Sequence, residues 1–315
     1  MRALPVQKTI KRLVHGVLLL DKPKGLTSNQ AVQAAKRLFA TDKAGHTGSL
    51  DPLATGLLPI CFGEATKFSQ FLLEADKAYW VSACLGRTTK TGDAEGEIVA
   101  TRPVLPSCFD NLESVLSGFC GVISQIPPMF SALKFKGRPL YELARRGITV
   151  QRRAREVTVH SLQLLNKTEN SIDVAIHCSK GTYIRTLIED IGEALGCGAY
   201  VRGLRRLGVA NYGEDGMFSL EKLQACNEKE RDRCLLPLDS LLPSLPFLKL
   251  SQAAAYYLFR GQAIRLPDTP EKGWVRLVHT INDQFIGVGE ILADGRVAPR
   301  RLIKLHCNDD GTFAQ

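Results

Sequence analysis

The succession of apolar patterns predicts an α/β or α+β chain made of two domains. Strand-length and helix-length segments interleave through the first two thirds without a repeated βαβ unit, which argues against a doubly wound sheet. Leu241-Leu242-Pro243-Ser244-Leu245-Pro246 is a proline-punctuated linker. Beyond it, short strands are separated by glycines and Asn-Asp or Asp-Gly turns, as in a small β-barrel of about sixty residues. The expected division is therefore 1–245 and 246–315. At 315 residues, 44% hydrophobic and 23% charged, the chain has material for a sizeable core.

Each element has its own signal. Residues 15–20 form an apolar run of strand length, and 28–39 repeat Ala31, Val32, Ala35, Leu38 and Phe39 at helical spacing behind a Thr27 or Ser28 cap. Residues 57–62 read as strand. Residues 64–75 read as one helix with Phe68, Phe71 and Leu72 at i, i+3 and i+4, and 78–85 as strand. The stretch 87–97 is rich in Thr, Gly and Asp and reads as loop. Residues 125–153 open with Pro127-Pro128 and read as an inserted arm carrying a short helix near 139–146. Strand 172–179, helix 183–195 and strand 200–209 follow, then linker and terminal strands at 274–279, 285–292 and 296–305.

Composition removes several function classes. No apolar run approaches the roughly 20 residues that span a bilayer. The nine cysteines are odd in number and none are spaced Cys-x-x-Cys, which fits free thiols in a reducing cytoplasm. No histidines pair at helical spacing, and His177-Cys178 and His306-Cys307 alternate across any strand, so no metal is expected. The basic N-terminus (Arg2, Lys8, Lys11, Arg12) lacks serine and a cleavage-like site, and is expected to be a frayed tail touching an anionic partner.

Charge points to a polyanion. Lys plus Arg number 41 against 32 acids, a net charge of +9. Lys134, Lys136, Arg138, Arg145, Arg146, Arg152, Arg153 and Arg155 cluster with Glu142 as the only acid among them, and Arg202, Arg205 and Arg206 form a second group. Such density reads as phosphate contact.

The most informative stretch is Gly45-His46-Thr47-Gly48-Ser49-Leu50-Asp51-Pro52-Leu53-Ala54-Thr55-Gly56. Glycines admit tight turns and close approach, while Pro52 fixes its own φ and biases Asp51 toward an extended conformation. Asp-Pro and Thr-Gly are also ordinary turn signals, so these residues alone allow a structural role or a rigidly held functional acid. There is no Walker A motif or complete G-x-G-x-x-G, since Gly196-Cys197-Gly198 has Val201 where the third glycine would stand.

The run from His46 through Pro59 resembles the signature of the bacterial tRNA pseudouridine-55 synthases, the TruB family. So do Gly16–Gly25, Gly63-Glu64-Ala65-Thr66-Lys67, Asp76-Lys77-Ala78-Tyr79, the stretch 125–134 and Ser179-Lys180-Gly181-Thr182-Tyr183-Ile184-Arg185-Thr186. These motifs span roughly 14–210. Ser49 stands where the family more often has Thr or Ala, a small-for-small change.

The resemblance implies a mixed, largely antiparallel central sheet flanked by helices, with a C-terminal RNA-binding domain of the PUA type. It implies Asp51 as nucleophile, Arg185 as the partner that holds Asp51 ionised and aimed, and Tyr79 stacked under the target base with its hydroxyl relaying the C5 proton. Tyr183 and Leu204 are carried over as base-pocket residues, and His46 as a wedge that fills the stack left by an extruded uridine. Read alone, Tyr79 and Leu204 are equally core residues, Arg185 a solvated helix arginine and His46 a loop hydrogen-bonder. A carboxylate serves this reaction by adding covalently or by stabilising positive charge at the sugar. No cofactor is needed.

The expected protein is a cytoplasmic, monomeric isomerase acting on uridine-55 in the T-stem-loop of tRNA. Rival expectations are a tRNA-binding or folding factor and a synthase acting on another RNA.

Overall fold

The computed structural model describes residues 11–304, 306–307 and 313–314. In chain order the elements are β1 (Gly16–Lys22), α1 (Ser28–Leu38), β2 (Ala44–His46), β3 (Thr55–Phe62), α2 (Ser69–Leu73), β4 (Lys77–Leu85), β5 (Arg87–Thr89) and β6 (Ile98–Thr101). Next come α3 (Ser107–Asp110), α4 (Leu112–Gly118), β7 (Gly121–Gln125), β8 (Lys134–Phe135), β9 (Arg138–Pro139), α5 (Leu140–Arg145), β10 (Arg155–Thr168) and β11 (Ser171–Cys178). Then follow α6 (Ile184–Ala194), β12 (Ala199–Val209), α7 (Leu220–Ala225), α8 (Glu228–Arg233), β13 (Phe247–Leu250), α9 (Gln252–Phe259), β14 (Gly273–His279), β15 (Phe285–Ile291) and β16 (Val297–Leu302).

The main sheet runs β1-β3-β12-β4-β11-β10-β7, with β2 also on β3. Every pairing is antiparallel except the short β12–β3 contact, so the expected mixed, largely antiparallel sheet is present. Successive side chains of a strand face opposite ways, and here both faces are covered. Leu18 and Leu20 of β1 join Ala31 and Val32 of α1 and Leu187 and Ile188 of α6 in one core. Val17 and Leu19 join Phe68, Leu72, Leu241 and Phe285 in a second. Thr27 caps α1 reciprocally with Gln30, as its sequence signal predicts.

The second core fastens the C-terminal sheet to the first. Phe68 meets Phe285 edge-on at 5.2 Å, Phe71 meets Trp274 at 5.8 Å, and Lys67 Nζ donates to the Leu302 carbonyl at 2.7 Å. That sheet runs β13-β14-β15-β16. The expected barrel is not found: among the described residues the sheet stays open, with β13, parallel to β14, and β16 as its two end strands and no pairing between them. A core of Leu250, Ala255, Leu258, Val275 and Leu277 places α9 against it.

Three local expectations change. Residues 64–75 are a 3-10 turn (Gly63–Lys67) and the short α2, broken at Phe68, because the aromatic face follows the C-terminal sheet rather than one helical axis. The 87–97 stretch contains β5, which pairs with β6 in a hairpin. Arg2 and Lys8 lie outside the described residues, but Arg12 is no frayed tail: it pairs with Asp232 at 2.6 Å and Glu228 at 3.1 Å. The expected strand 296–305 ends at Leu302, and Leu305 lies outside the described residues.

Candidate active site

The loop between β2 and β3 is fixed on both sides of Asp51. Ser28 Oγ accepts from the Leu50 N–H at 2.7 Å and donates to the Leu50 carbonyl at 3.0 Å. The Pro52 carbonyl accepts from the Gly25 N–H at 2.8 Å. Lys22, fully buried, donates to the Pro23 and Leu26 carbonyls at 2.8 and 2.7 Å and reaches the Pro52 carbonyl at 3.5 Å. Burial pushes this ammonium down to about 8, with Asp51 the main opposing charge. Gly56 then lets the chain enter β3: its φ is +95°, and a Cβ there would stand 2.3 Å from the Arg206 carbonyl of β12. Gly45 needs no such freedom and is an ordinary strand residue of β2.

Asp51 and Arg185 are brought together as expected. Arg185 Nε lies 2.9 Å from one Asp51 carboxylate oxygen and Nη2 donates to the other at 3.3 Å. The same guanidinium donates to the Thr91 and Phe130 carbonyls, each at 2.7 Å, and sits 3.7 Å from Asp93. Arg185 thus joins α6, the loop of Asp51, the turn between β5 and β6, and the start of the arm. Its side chain is 5% exposed, whereas that of Asp51 keeps 39%, so the carboxyl is reachable from one side. Loss of water on its other sides raises the Asp51 carboxyl above the ordinary carboxylate value; Arg185 pulls it back and Asp93 pushes it up. Arg185 therefore fixes the orientation of Asp51 and lowers its pKa in the expected direction, but burial outweighs it and the net displacement is upward.

Tyr79, on β4, is buried with its hydroxyl against the guanidinium of Arg206. Arg206 lies opposite Tyr79 in the register of β12 and is 1% exposed. It donates to the Leu57 carbonyl at 2.6 Å and to the Gly48 carbonyl at 3.1 Å. His46, on β2, accepts from the Gly48 N–H through Nδ1 at 3.3 Å. Burial and then the Arg206 charge lower its pKa, so the ring is neutral near pH 7.

Tyr183 precedes α6 and is tied by its main chain to Gln125, which accepts from its N–H at 2.8 Å and donates to its carbonyl at 3.0 Å. The Arg155 guanidinium covers its ring at 4.8 Å. Leu204 is buried in the first core together with Tyr79, Leu50 and Leu53. The arm leaves β7 and returns in β10, its antiparallel neighbour, carrying the β8–β9 hairpin and α5. Lys134, Lys136, Arg138, Arg145, Arg146 and Arg153 are exposed there, and none of them forms an ion pair among the described residues. Arg152 instead donates to the Pro127 carbonyl.

The second basic group does not form one exposed patch, and only Arg202 of the three is exposed. Arg205 pairs with Asp21 at 2.9 Å and Glu214 at 2.8 Å, Arg202 donates to Ser82 Oγ at 2.8 Å, and Arg206 points inward. Sequence reasoning also missed Lys22, Ser28 and Asp93 as loop and site supports. The Asp21-Lys22-Pro23-Lys24-Gly25 turn carried a signal for the first, since a lysine ending an apolar strand before Pro has carbonyls within reach. Among the described residues no group of three or more His, Cys, Asp or Glu is placed to hold a metal ion, and no helix is long and apolar enough to cross a membrane.

This sheet, with a single arginine-clamped aspartate on a loop between two of its strands, is that of a pseudouridine synthase. Residues 36–184 match the family model described as TruB family pseudouridylate synthase (N terminal domain). Residues 185–243 match the tRNA pseudouridylate synthase B C-terminal domain, and 246–303 match pseudouridine synthase II TruB, C-terminal. The chain belongs to the TruB family. It is 58% identical over 301 residues to the tRNA pseudouridine synthase B of Coxiella burnetii (strain RSA 493 / Nine Mile phase I), covering 94% of this chain and 97% of that protein. The protein of the same name from Tolumonas auensis is 55% identical, covering 93% and 94%. Among solved structures, one titled as a Cbf5-Nop10-Gar1 complex superposes with a TM-score of 0.68 at 25% identity, covering 96% of this chain and 87% of that one.

Proposed function

We propose that this pseudouridine synthase isomerises uridine-55 in the T loop of elongator tRNAs, recognising a T-stem-loop by shape and splayed bases. The observation that carries this is the Asp51 carboxyl, open on one side and clamped by Arg185, whose own Phe130 contact is the root of an arm bearing six exposed cations without acid partners among the described residues. Relatives named tRNA pseudouridine synthase B, 51 to 58% identical over nearly the whole chain, support tRNA as substrate.

In this reading the arm, about 125–153, holds stem phosphates. His46, neutral and flat, fills the stack vacated by the extruded uridine, which offsets part of an unstacking cost of a few kcal/mol. Tyr79 stacks under the uracil, while Tyr183 and Leu204 complete its pocket. Asp51 acts on the sugar as the C1′–N1 bond breaks, either by adding to it or by stabilising its positive charge. The base turns, C5 bonds to C1′, and the Tyr79 hydroxyl relays the C5 proton. Residues 1–245 make the synthase domain, and 246–315 a PUA-like RNA-binding domain. The protein works as a cytoplasmic monomer and without a cofactor.

The test is incubation of the purified chain with an unmodified T-stem-loop, followed by carbodiimide mapping and primer extension. A stop at position 55 supports the reading. Binding without any stop supports a tRNA-binding or folding factor instead, and stops at other uridines overturn the site assignment.

A further inference from the structure

We infer that Arg206 is a positioning residue for C5 deprotonation, stabilising negative charge on the Tyr79 oxygen and fixing that oxygen relative to the Asp51 loop. This deepens the proposed reaction and rests on Tyr79 relaying the C5 proton. Arg206 is fully buried, yet among the described residues no carboxylate pairs with it. A buried guanidinium without an acid partner is costly and remains charged only where strong acceptors surround it. Here these are the Leu57 carbonyl at 2.6 Å, the Gly48 carbonyl at 3.1 Å and the Tyr79 hydroxyl oxygen. A methionine would fill the same space without that burden, so the charge points to a use.

The geometry identifies the use. The two carbonyls lie at the N-terminal side of the Asp51 loop and in β3, and the hydroxyl lies on β4, so one rigid fork links the acid loop to the phenol across β12. Burial, Cys178 and Asp51 disfavour a phenolate on Tyr79, and Arg206 is the largest influence in its favour. After C5 has bonded to C1′, the C5–H bond must break. Its electron pair forms the C5=C6 bond, the C6=N1 pair moves to N1, and N1 takes a proton from water. The Tyr79 hydroxyl first gives its proton to solvent, the resulting phenolate takes the C5 proton, and Tyr79 returns to the neutral phenol. Negative charge sits on that oxygen only while it serves as the base, and a fixed cation beside it makes this phenolate accessible against the burial that disfavours it.

The test is single-turnover kinetics on a T-stem-loop whose target uridine carries deuterium at C5. General-base assistance is worth roughly 10²- to 10⁴-fold, so Arg206→Met should slow C5 deprotonation at least about tenfold and expose a primary isotope effect absent from the parent enzyme. Arg206→Lys keeps a charge but loses the fork and should show a smaller effect of the same kind, which also provides the reading if Arg206→Met fails to fold. Added to Tyr79→Phe, either change should leave the deprotonation step as slow as in Tyr79→Phe alone. Slowing without an isotope effect, or full additivity with Tyr79→Phe, makes Arg206 a purely structural residue and overturns the inference. If Tyr79→Phe itself shows no isotope effect, the proton-relay role fails first and the inference falls with it.

Discussion

Replacement of Arg185 separates aiming from anchoring. Its guanidinium serves Asp51, Asp93 and the Thr91 and Phe130 carbonyls at once. Arg185→Met leaves Asp93, 5% exposed, as a buried acid without its cation, although Thr91 Oγ1 and the Glu95 N–H still bond it at 2.6 and 3.0 Å. Breaking a buried pair costs roughly 3–5 kcal/mol, and the part owed to the more open Asp51 is discounted for solvent screening. A loss of about 3 kcal/mol corresponds to a fall in Tm of roughly 6–12 °C for a domain of this size. Arg185→Lys keeps the charge but has one ammonium for four acceptors, so it should melt closer to the parent. Its kcat should still fall about 100-fold with little change in KM, because small misplacement of a reacting group has that effect. The pH profile gives a second readout. Burial already holds the Asp51 carboxyl high and Arg185 opposes it, so removing the cation raises the pKa further. In the proposed reaction the active form is the carboxylate, so the acid limb of kcat/KM should move to higher pH. A Lys variant with parental kcat, or a Met variant whose acid limb stays in place, would refute the aiming role.

Asp51→Asn should abolish turnover while tRNA affinity stays within about threefold, since it removes chemistry and few phosphate contacts. Because the folded carboxyl titrates above its unfolded value, its ionisation opposes folding as pH rises through that window; the Asn variant should melt no lower than the parent at pH 7, checked by calorimetry. Replacing Arg145, Arg146, Arg152 and Arg153 with Gln should weaken binding and flatten the slope of log K against log salt by about 0.9 for each duplex phosphate no longer neutralised. Arg152 already bonds the Pro127 carbonyl, so a reduction nearer three phosphates than four is expected, and an unchanged slope would remove RNA from the arm. His46→Ala should slow a uridine in the native T loop more than one in a loop with disrupted pairing, in single-turnover comparison. Equal slowing on both RNAs, or a rate that titrates near the ordinary histidine value, would reject the wedge, because the neutral His46 has no proton to offer near pH 7.

Local signals account for what the sequence made legible. The Thr27–Gln30 cap, the apolar runs of β1 and β3 and the Gly-Asp-Pro loop each depend on residues close in the chain. The Asp51–Arg185 pair spans 134 positions and was reached by motif resemblance, not by any periodicity. Features decided by distant partners carry no such local signal. Arg202, Arg205 and Arg206 looked like one basic group, yet neighbours on a strand face opposite ways: Arg205 meets Asp21 and Glu214, and Arg206 enters the interior. Phe68, Phe71 and Leu72 have helical spacing, but their shared partner is the C-terminal sheet, which breaks the helix at Phe68. Short alternating strands do not encode closure, since whether the first and last strands of a sheet meet is decided by pairing between segments far apart in the chain, and β13 and β16 do not pair.

The buried cations around Asp51 share a feature that follows from this topology. Lys22 rests on three carbonyls, Arg206 on two carbonyls and a phenol, and Arg185 on two carbonyls besides its acids. Carbonyl partners are part of the sheet and its turns, so they neither titrate nor swing away when charge moves during reaction. Arg185 is balanced by Asp51 and Asp93, whereas Lys22 and Arg206 form no ion pair among the described residues. Further carboxylates on those two would add negative charge next to Asp51; main-chain acceptors avoid this and leave their positive charge available to the anionic substrate and to the transient phenolate of the proposed reaction. In the proposed reaction, positioning falls to the β1, β3 and β12 backbone and attraction of RNA to the exposed cations of the arm. Substitutions in the first group should act on kcat, and those in the second on affinity and its salt dependence.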